Sequence, residues 1–239
     1  LIPERCLNGK GRVLGSEESY WIELKPGDKR KQYNLLNLKL ENDGVIRGTI
    51  QNTYMGYEAM MKRKNISAFS TVEEYIEDLD NKLDGIEIKN FEFTFKDDID
   101  KPIVQKLGVE IQVFDHASTN NFLFNPFILD KWKENPFKSR ERLYPVDFGA
   151  PMEITMSMQL EYPSEFEIVN IPAKVGLSLP NAGGRYIFEA ADDGHVLKLN
   201  NSVSIGKTVF TSLEYHYLKE LFNNIVLVQN TELLFKRKP

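Results

Sequence analysis

The chain has 239 residues, of which 41% are hydrophobic and 27% charged, a balance typical of globular proteins that bury a core. Its net charge is −5, from 30 Lys and Arg against 35 Asp and Glu, which is the wrong sign for a protein that neutralises many nucleic-acid phosphates. No apolar run approaches the length that crosses a bilayer. These properties predict a globular protein with no nucleic-acid partner and no membrane span.

In chain order, the first strong pattern alternates apolar and polar residues, as half-buried strands do. Residues 36–40 and 45–50 show this alternation on either side of Asp43 and Gly44, which predicts a hairpin. Farther along, Thr71 followed by Glu74 is the pattern of a helix N-terminus. It predicts a helix over residues 71–79 that begins with a capping box.

The next segment changes its alternation partway along. Ile86 and Ile88 share one parity, whereas Phe91 and Phe93 share the other. One extra residue in a strand reverses which side faces the core, so we expect a β-bulge near residues 89–90. Residues 109–113 predict a further strand.

The last part of the chain returns to strands after a loop-rich connection marked by Pro126 and Pro136. Residues 152–162 alternate without a break, and residues 185–189 and 195–199 form a second predicted hairpin. A helix is predicted over 213–222. We therefore predict a mainly β fold, a two-sheet antiparallel β-sandwich of jelly-roll type with one or two short accessory helices.

Two domain arrangements fit these elements. The first is a single β-sandwich domain over residues 1–239, with an N-terminal docking segment at residues 1–15. The second divides the chain into two β lobes, 1–140 and 141–239, because a charged run over 133–142 precedes the long strand.

No residue pattern in the sequence predicts a catalytic or metal centre. Cys6 lies in a turn-like sequence, and His116, His195 and His216 are scattered without the short spacings of zinc ligands. Asp97, Asp98 and Asp100 lack the glycine and the terminal glutamate of a calcium loop, so a solvated turn is favoured. We expect no catalytic residue, no metal and no cofactor.

Aromatic residues make up 11% of the chain, and exposed rings on a β-sandwich can stack on sugars. The aromatic residues outside the clearest core patterns are the candidate ligand or partner surface: Trp21, Trp132, Tyr54 and Tyr57.

Several short segments, in order, carry a resemblance to a known family. They are the opening Leu1-Ile2-Pro3-Glu4-Arg5-Cys6-Leu7-Asn8-Gly9-Lys10-Gly11 with Trp21-Ile22-Glu23-Leu24, then Leu38 to Gly44 with Arg47-Gly48, Gly56-Tyr57-Glu58-Ala59 with Lys62-Arg63, Asn135-Pro136-Phe137 with Arg142, Tyr144 to Gly149, Tyr217 to Phe222, and Leu233 to Lys236. Together they resemble the segment that follows the catalytic core in large bacterial transglutaminase-like proteins.

The resemblance implies an accessory domain rather than an enzyme. Such proteins carry an N-terminal β-sandwich, a papain-like transglutaminase core and a C-terminal all-β domain of unknown function. Their catalytic cysteine, histidine and aspartate lie in the core, and Cys6 does not match that cysteine. We therefore expect a non-catalytic module that docks on the core of the same polypeptide or on an envelope partner, in the periplasm or cell envelope.

Two other functions remain open from the residues alone. The chain could be a carbohydrate-binding module that stacks sugars on Trp21 or Trp132. It could also be a hydrolase that uses two carboxylates in one cleft, which requires a separation that a sequence does not give.

Overall fold

A computed structural model gives the fold and describes residues 1–83, 85–113 and 120–238. The described strands are β1 Gly9–Leu14, β2 Ser19–Leu24, β3 Arg30–Leu40, β4 Val45–Gly56, β5 Ile86–Thr94, β6 Ile103–Gln112, β7 Asn121–Phe124, β8 Val146–Asp147, β9 Met152–Glu161, β10 Phe166–Ile168, β11 Val175–Ser178, β12 Gly184–Asp192, β13 Val196–Ile205, β14 Val209–Phe210 and β15 Leu233–Arg237. The described helices are α1 Tyr57–Ile66, α2 Val72–Lys82 and α3 Tyr215–Gln229.

An eight-stranded sheet in the order β11-β12-β13-β9-β3-β4-β6-β5 forms the centre of the molecule. The neighbours in it are antiparallel except β3 and β9, which run parallel. This parallel pair joins strands that lie on either side of residue 140 in the sequence. A three-stranded sheet, β10-β15-β7, and two strand pairs, β1-β2 and β14-β8, complete the described β structure.

The apolar core lies on one face of the large sheet. Alternate residues of β3, among them Leu36, Leu38 and Leu40, point to this face and are buried. They belong to one cluster with aromatic residues of the 120–137 segment and with Leu218 and Phe222 of α3. Of the helices, α1 packs on β3 and β4, α2 on β5 and α3 on β12. The opposite face of β3 and β9 is exposed or half-buried, as is common for antiparallel sheets with one solvated side.

The mainly β prediction is confirmed, and the sheets are arranged like a sandwich. Both predicted hairpins form, as β3-β4 and β12-β13. The pairing of β5 with β6 shifts register between Ile88 and Asn90, where the bulge was predicted. The parallel pair β3-β9 departs from the all-antiparallel expectation.

The helices agree with the prediction only in part. Thr71 caps α2 by accepting a hydrogen bond from the Glu74 amide at 3.1 Å, but the Glu74 carboxylate bonds the Ser70 amide instead of closing the box on Thr71. The last predicted helix is α3, longer than expected. The described residues contain three α-helices rather than one or two, because α1 was not predicted. None of the described helices is both long and apolar enough to cross a membrane.

Candidate functional site

The first eight residues of the chain are fixed to the body of the protein. The Asn8 amide donates to Asp147 Oδ1 at 2.7 Å and to the Gly149 carbonyl at 2.9 Å. Nearby, Arg30 and Glu4 form an ion pair at 2.6 Å. Half of the predicted docking segment is therefore used within the chain itself.

The residues that follow form the β1-β2 hairpin, whose strands pair only with each other. Its register places Val13 opposite Tyr20 and Arg12 opposite Trp21, so Tyr20 and Trp21 lie on different faces. Several large apolar side chains on it are exposed: Leu14 78%, Tyr20 57%, Trp21 63% and Ile22 41%. The hairpin thus presents apolar groups on both of its faces.

The four predicted aromatic residues separate into exposed and buried ones. Trp21 is exposed, with the Arg12 guanidinium 5.8 Å from its ring centroid. Trp132 is half-buried and packs edge-on against Phe222 at 5.5 Å. Tyr54 and Tyr57 are 4% and 0% exposed, so neither offers a ring face to a ligand. Including these two tyrosines in the surface was wrong.

The polar residues considered from the sequence lie apart along the fold. Cys6 is half-buried in a 3₁₀ turn, His195 follows the β12-β13 turn, and the His216 ring contacts Tyr217 at the start of α3. His116 lies outside the described residues. Over the described part of the chain, no group of three or more His, Cys, Asp or Glu side chains is placed to hold a metal ion.

The structure brings together one polar group that the sequence did not indicate. Lys62 on α1 is half-buried, and its Nζ lies 4.5 Å from the ring centroid of Tyr54 and 5.1 Å from that of Tyr75. Two carboxylates, Glu58 one helical turn earlier and Asp130 in the loop after β7, act electrostatically on this amine. We call Lys62, Tyr54, Tyr75, Glu58 and Asp130 the Lys62 site.

The ionisation of this site is set first by burial. Burial lowers the pKa of Lys62 to about 8, while the charges of Asp130 and Glu58 act in the opposite direction. Burial likewise raises the pKa of Glu58. For Tyr54, burial and then the charge of Asp130 raise the pKa well above its ordinary value. Burial therefore shifts Lys62, Glu58 and Tyr54 toward their neutral forms, while Lys62 stays mainly protonated at pH 7.

Buried amides on the large sheet lie beneath this site. Gln32 donates to Asp130 Oδ2 at 2.7 Å, and the Tyr54 hydroxyl donates to Gln105 Oε1 at 3.2 Å. Gln105 is fully buried, and its side chain also acts on the Tyr75 hydroxyl, where it opposes the rise in pKa that burial causes. One buried amide therefore supports both tyrosines of the site.

The solvated face of the large sheet carries a shallow groove of about 590 Å³ across β12, β13, β9 and β3. Uncharged polar side chains line much of it: Asn37, Ser157, Gln159 and Asn200. The ion pair between Lys174 and Glu189, at 2.5 Å, stands at one side. The groove thus offers amide and hydroxyl groups to a ligand with little net charge.

These features define a mainly β protein with a projecting apolar hairpin and a half-buried amine site. In comparison with known families, residues 120–235 match a domain of unknown function with a solved structure, DUF3858. The match begins just before β7 and leaves out β3, β4, β5 and β6, which are half of the large sheet. This part of the chain is thus similar to a domain of unknown function, and the match does not bear on a transglutaminase-like parent.

Comparison with curated proteins gives no match. Among solved structures, the chain is similar to the crystal structure of a "putative protease" from Parabacteroides distasonis ATCC 8503, with a TM-score of 0.41 and 13% identity. The alignment covers 50% of this chain and 24% of that chain, so this chain spans about a quarter of that protein's length.

Proposed function

We propose that the chain is a non-catalytic accessory module that docks on a transglutaminase-like core of the same polypeptide through the β1-β2 hairpin. The observation that carries the proposal is the exposure of large apolar side chains on both faces of this hairpin. The identity of the core, and a location in the periplasm or cell envelope, rest on the sequence resemblance alone.

Hairpin energetics support a partner for this element. A two-stranded hairpin is at best marginally stable alone in water. Here its base is fixed by Asn8 and Glu4, while Trp21 and Tyr20 remain in solvent. Aromatic residues of this kind are enriched among the residues that dominate binding energy in protein interfaces. Apolar groups on both faces favour insertion of the hairpin into a groove over contact with a flat surface.

The test is direct binding to a separately purified transglutaminase-like domain from a bacterial protein of the three-part architecture. Truncating an aromatic residue that anchors an interface costs about 2 kcal/mol, which corresponds to about 30-fold weaker binding. We expect Trp21→Ala to weaken binding by this factor, and residues 9–24 to gain amide hydrogen-exchange protection on binding. The isolated chain is expected to show neither amide hydrolysis nor amine transfer.

The matched control is Tyr144→Ala, because Tyr144 is also a strongly exposed aromatic residue, at 79%, but lies outside the hairpin. It should leave the affinity unchanged. Equal losses for both variants would exclude the hairpin as the docking element, and thiol-dependent turnover by the purified chain would exclude a non-catalytic role.

The second candidate is a carbohydrate-binding module, and the groove on the solvated sheet face is the observation that favours it. Neutral sugars are bound by dispersed hydroxyl and amide groups, which Asn37, Ser157 and Asn200 provide there. Titration with soluble neutral glucans, followed both by tryptophan fluorescence and by calorimetry, distinguishes the two sugar surfaces, because none of the described residues that line the groove is a tryptophan. Quenching abolished by Trp21→Ala indicates stacking on the hairpin, whereas glucan binding lost in Asn200→Ala indicates the groove.

A further inference from the structure

Lys62 occupies a position on α1 where the fold calls for an apolar residue. Ala59 and Ile66 are buried, with 2% and 6% of their surface exposed. Lys62 lies three residues after Ala59 and four residues before Ile66. Residues at these spacings share one side of a helix. Lys62 therefore belongs to the side of α1 that packs on the sheet.

The environment of the amine differs from that of a surface lysine. Over the described residues, Lys62 Nζ has no carboxylate oxygen within 4.0 Å and lies over the rings of Tyr54 and Tyr75. Lys101 provides a contrast: it also lies over a ring, 4.6 Å from the Phe95 centroid, but it pairs with Asp98 at 3.2 Å. Lys62 thus lacks the close carboxylate that holds an ordinary paired lysine in its protonated form.

Burial makes the neutral amine accessible near neutral pH. With the pKa of Lys62 at about 8, roughly one-tenth of the molecules carry a neutral amine at pH 7, against roughly one in 2,500 for an ordinary lysine. Lower basicity reduces the reactivity of each neutral amine and offsets part of this gain. Lys62 retains partial exposure to solvent.

We propose that Lys62 is a reactive amine that forms a reversible imine with small neutral aldehydes or ketones. The Nζ lone pair attacks the carbonyl carbon, and the carbonyl π electrons move to oxygen. A proton then passes from nitrogen to that oxygen, giving a carbinolamine. Loss of water forms the C=N bond, with no oxidation or reduction in the sequence.

The groups around Lys62 match this chemistry better than acyl transfer. A protonated imine keeps a positive charge at nitrogen, and that charge is stabilised by the faces of Tyr54 and Tyr75 and by the carboxylates of Glu58 and Asp130. Acylation would remove the charge and leave both carboxylates uncompensated. The same carboxylates repel anionic carbonyl compounds, which restricts the class to neutral ones.

The probe is propionaldehyde with sodium cyanoborohydride, which traps the imine as a stable propylamine. Peptide mass spectrometry reads the labelling rate of each lysine in the folded chain. We expect Lys62 to react at least about tenfold faster than Lys64, which is exposed on the same helix and serves as an internal control. The difference should vanish in urea, and glyoxylate, an anionic aldehyde, should label Lys62 more slowly than propionaldehyde.

Two variants separate reactivity from a structural role. Lys62→Arg keeps a cation over the rings and should fold normally while losing the labelled peptide. In Glu58→Gln a supporting negative charge is removed, so the pH at which labelling of Lys62 levels off should fall below that of the native chain. Labelling of Lys62 no faster than Lys64, preference for glyoxylate, or an unchanged pH profile in Glu58→Gln would each overturn the proposal.

Discussion

Arg63 holds the loop between β5 and β6 through its guanidinium. Its Nε donates to the Lys96 carbonyl at 3.0 Å, and its Nη2 donates to the carbonyls of Phe95, Asp98 and Lys101. Phe95 has a φ of 58°, a conformation that costs a non-glycine residue about 1 kcal/mol or more. The carbonyls of Phe95 and Asp98 also accept backbone hydrogen bonds within the loop, at 3.3 Å each, so the guanidinium ties these turns to α1 and adds a second donor to both.

The stability that Arg63 contributes follows from the number of its N–H groups that donate hydrogen bonds. Three of them serve four carbonyls, and a hydrogen bond from a charged donor contributes about 1.5–3 kcal/mol when it is shielded from water. Two of the four bonds are exposed to water, which competes for the same groups, so their contribution to the free energy of unfolding is smaller. We expect Arg63→Ala to lower the free energy of unfolding by about 2–3 kcal/mol, and Arg63→Lys by about half of that, since an ammonium reaches fewer carbonyls.

Urea unfolding gives the change in free energy, and native-state hydrogen exchange shows whether the loss is concentrated in residues 95–101. The matched control is Lys64→Ala at the next position, an exposed site where a change within about 0.5 kcal/mol is expected. If Arg63→Ala and Lys64→Ala unfold at the same urea concentration, the guanidinium does not hold the loop and the reasoning fails.

Two further predictions concern stability. Gly48→Ala should lower the free energy of unfolding in urea by about 3 kcal/mol or more, because an added Cβ would lie 2.1 Å from the Asn37 carbonyl oxygen. The control is Gly176→Ala, which has open space around it and should change the free energy of unfolding by about 0.5 kcal/mol or less. The Lys207 amine lowers the pKa of Glu214 to about 2, so stability from this carboxylate is present above pH 4.5 and lost as the pH falls toward 2. The native chain should therefore have a higher Tm than Glu214→Gln at neutral pH, and this difference should disappear in strong acid. A difference in Tm that does not change with pH would contradict this link between ionisation and stability.

Local patterns predicted those parts of the fold whose cause is local. The bulge at residues 88–90 was readable because the parity switch between Ile88 and Phe91 directly records which side faces the core. The cap of α2 was readable because Thr71 contacts an amide only three residues away. The parallel pairing of β3 with β9 joins segments more than 100 residues apart, and neither strand's own alternation specifies its neighbour.

The burial of Tyr54 and the partial burial of Trp132 have two different origins. Tyr54 shares its parity in β4 with the buried Ile46 and Ile50, so the alternation already placed it on the core face. Trp132 is different, because its burial depends on where the 125–145 loop lies over Phe222. That placement is set by tertiary packing and leaves no pattern in the loop sequence.

The unpredicted helix and the unpredicted site have one physical cause. A helix is recognised from apolar residues at intervals of three and four, and in α1 the middle position of that series, between Ala59 and Ile66, is Lys62. The lysine interrupts the apolar pattern that would have predicted the helix. The same lysine places its amine against the rings of Tyr54 and Tyr75. Conflicts between local pattern and fold are expected at functional or strained positions. The double replacement of Lys62→Leu with Glu58→Gln tests this: it restores the apolar series and removes one of the two carboxylates that loss of the ammonium leaves uncompensated. If the lysine is retained for its chemistry rather than for packing, this variant should be at least as stable as the native chain in urea.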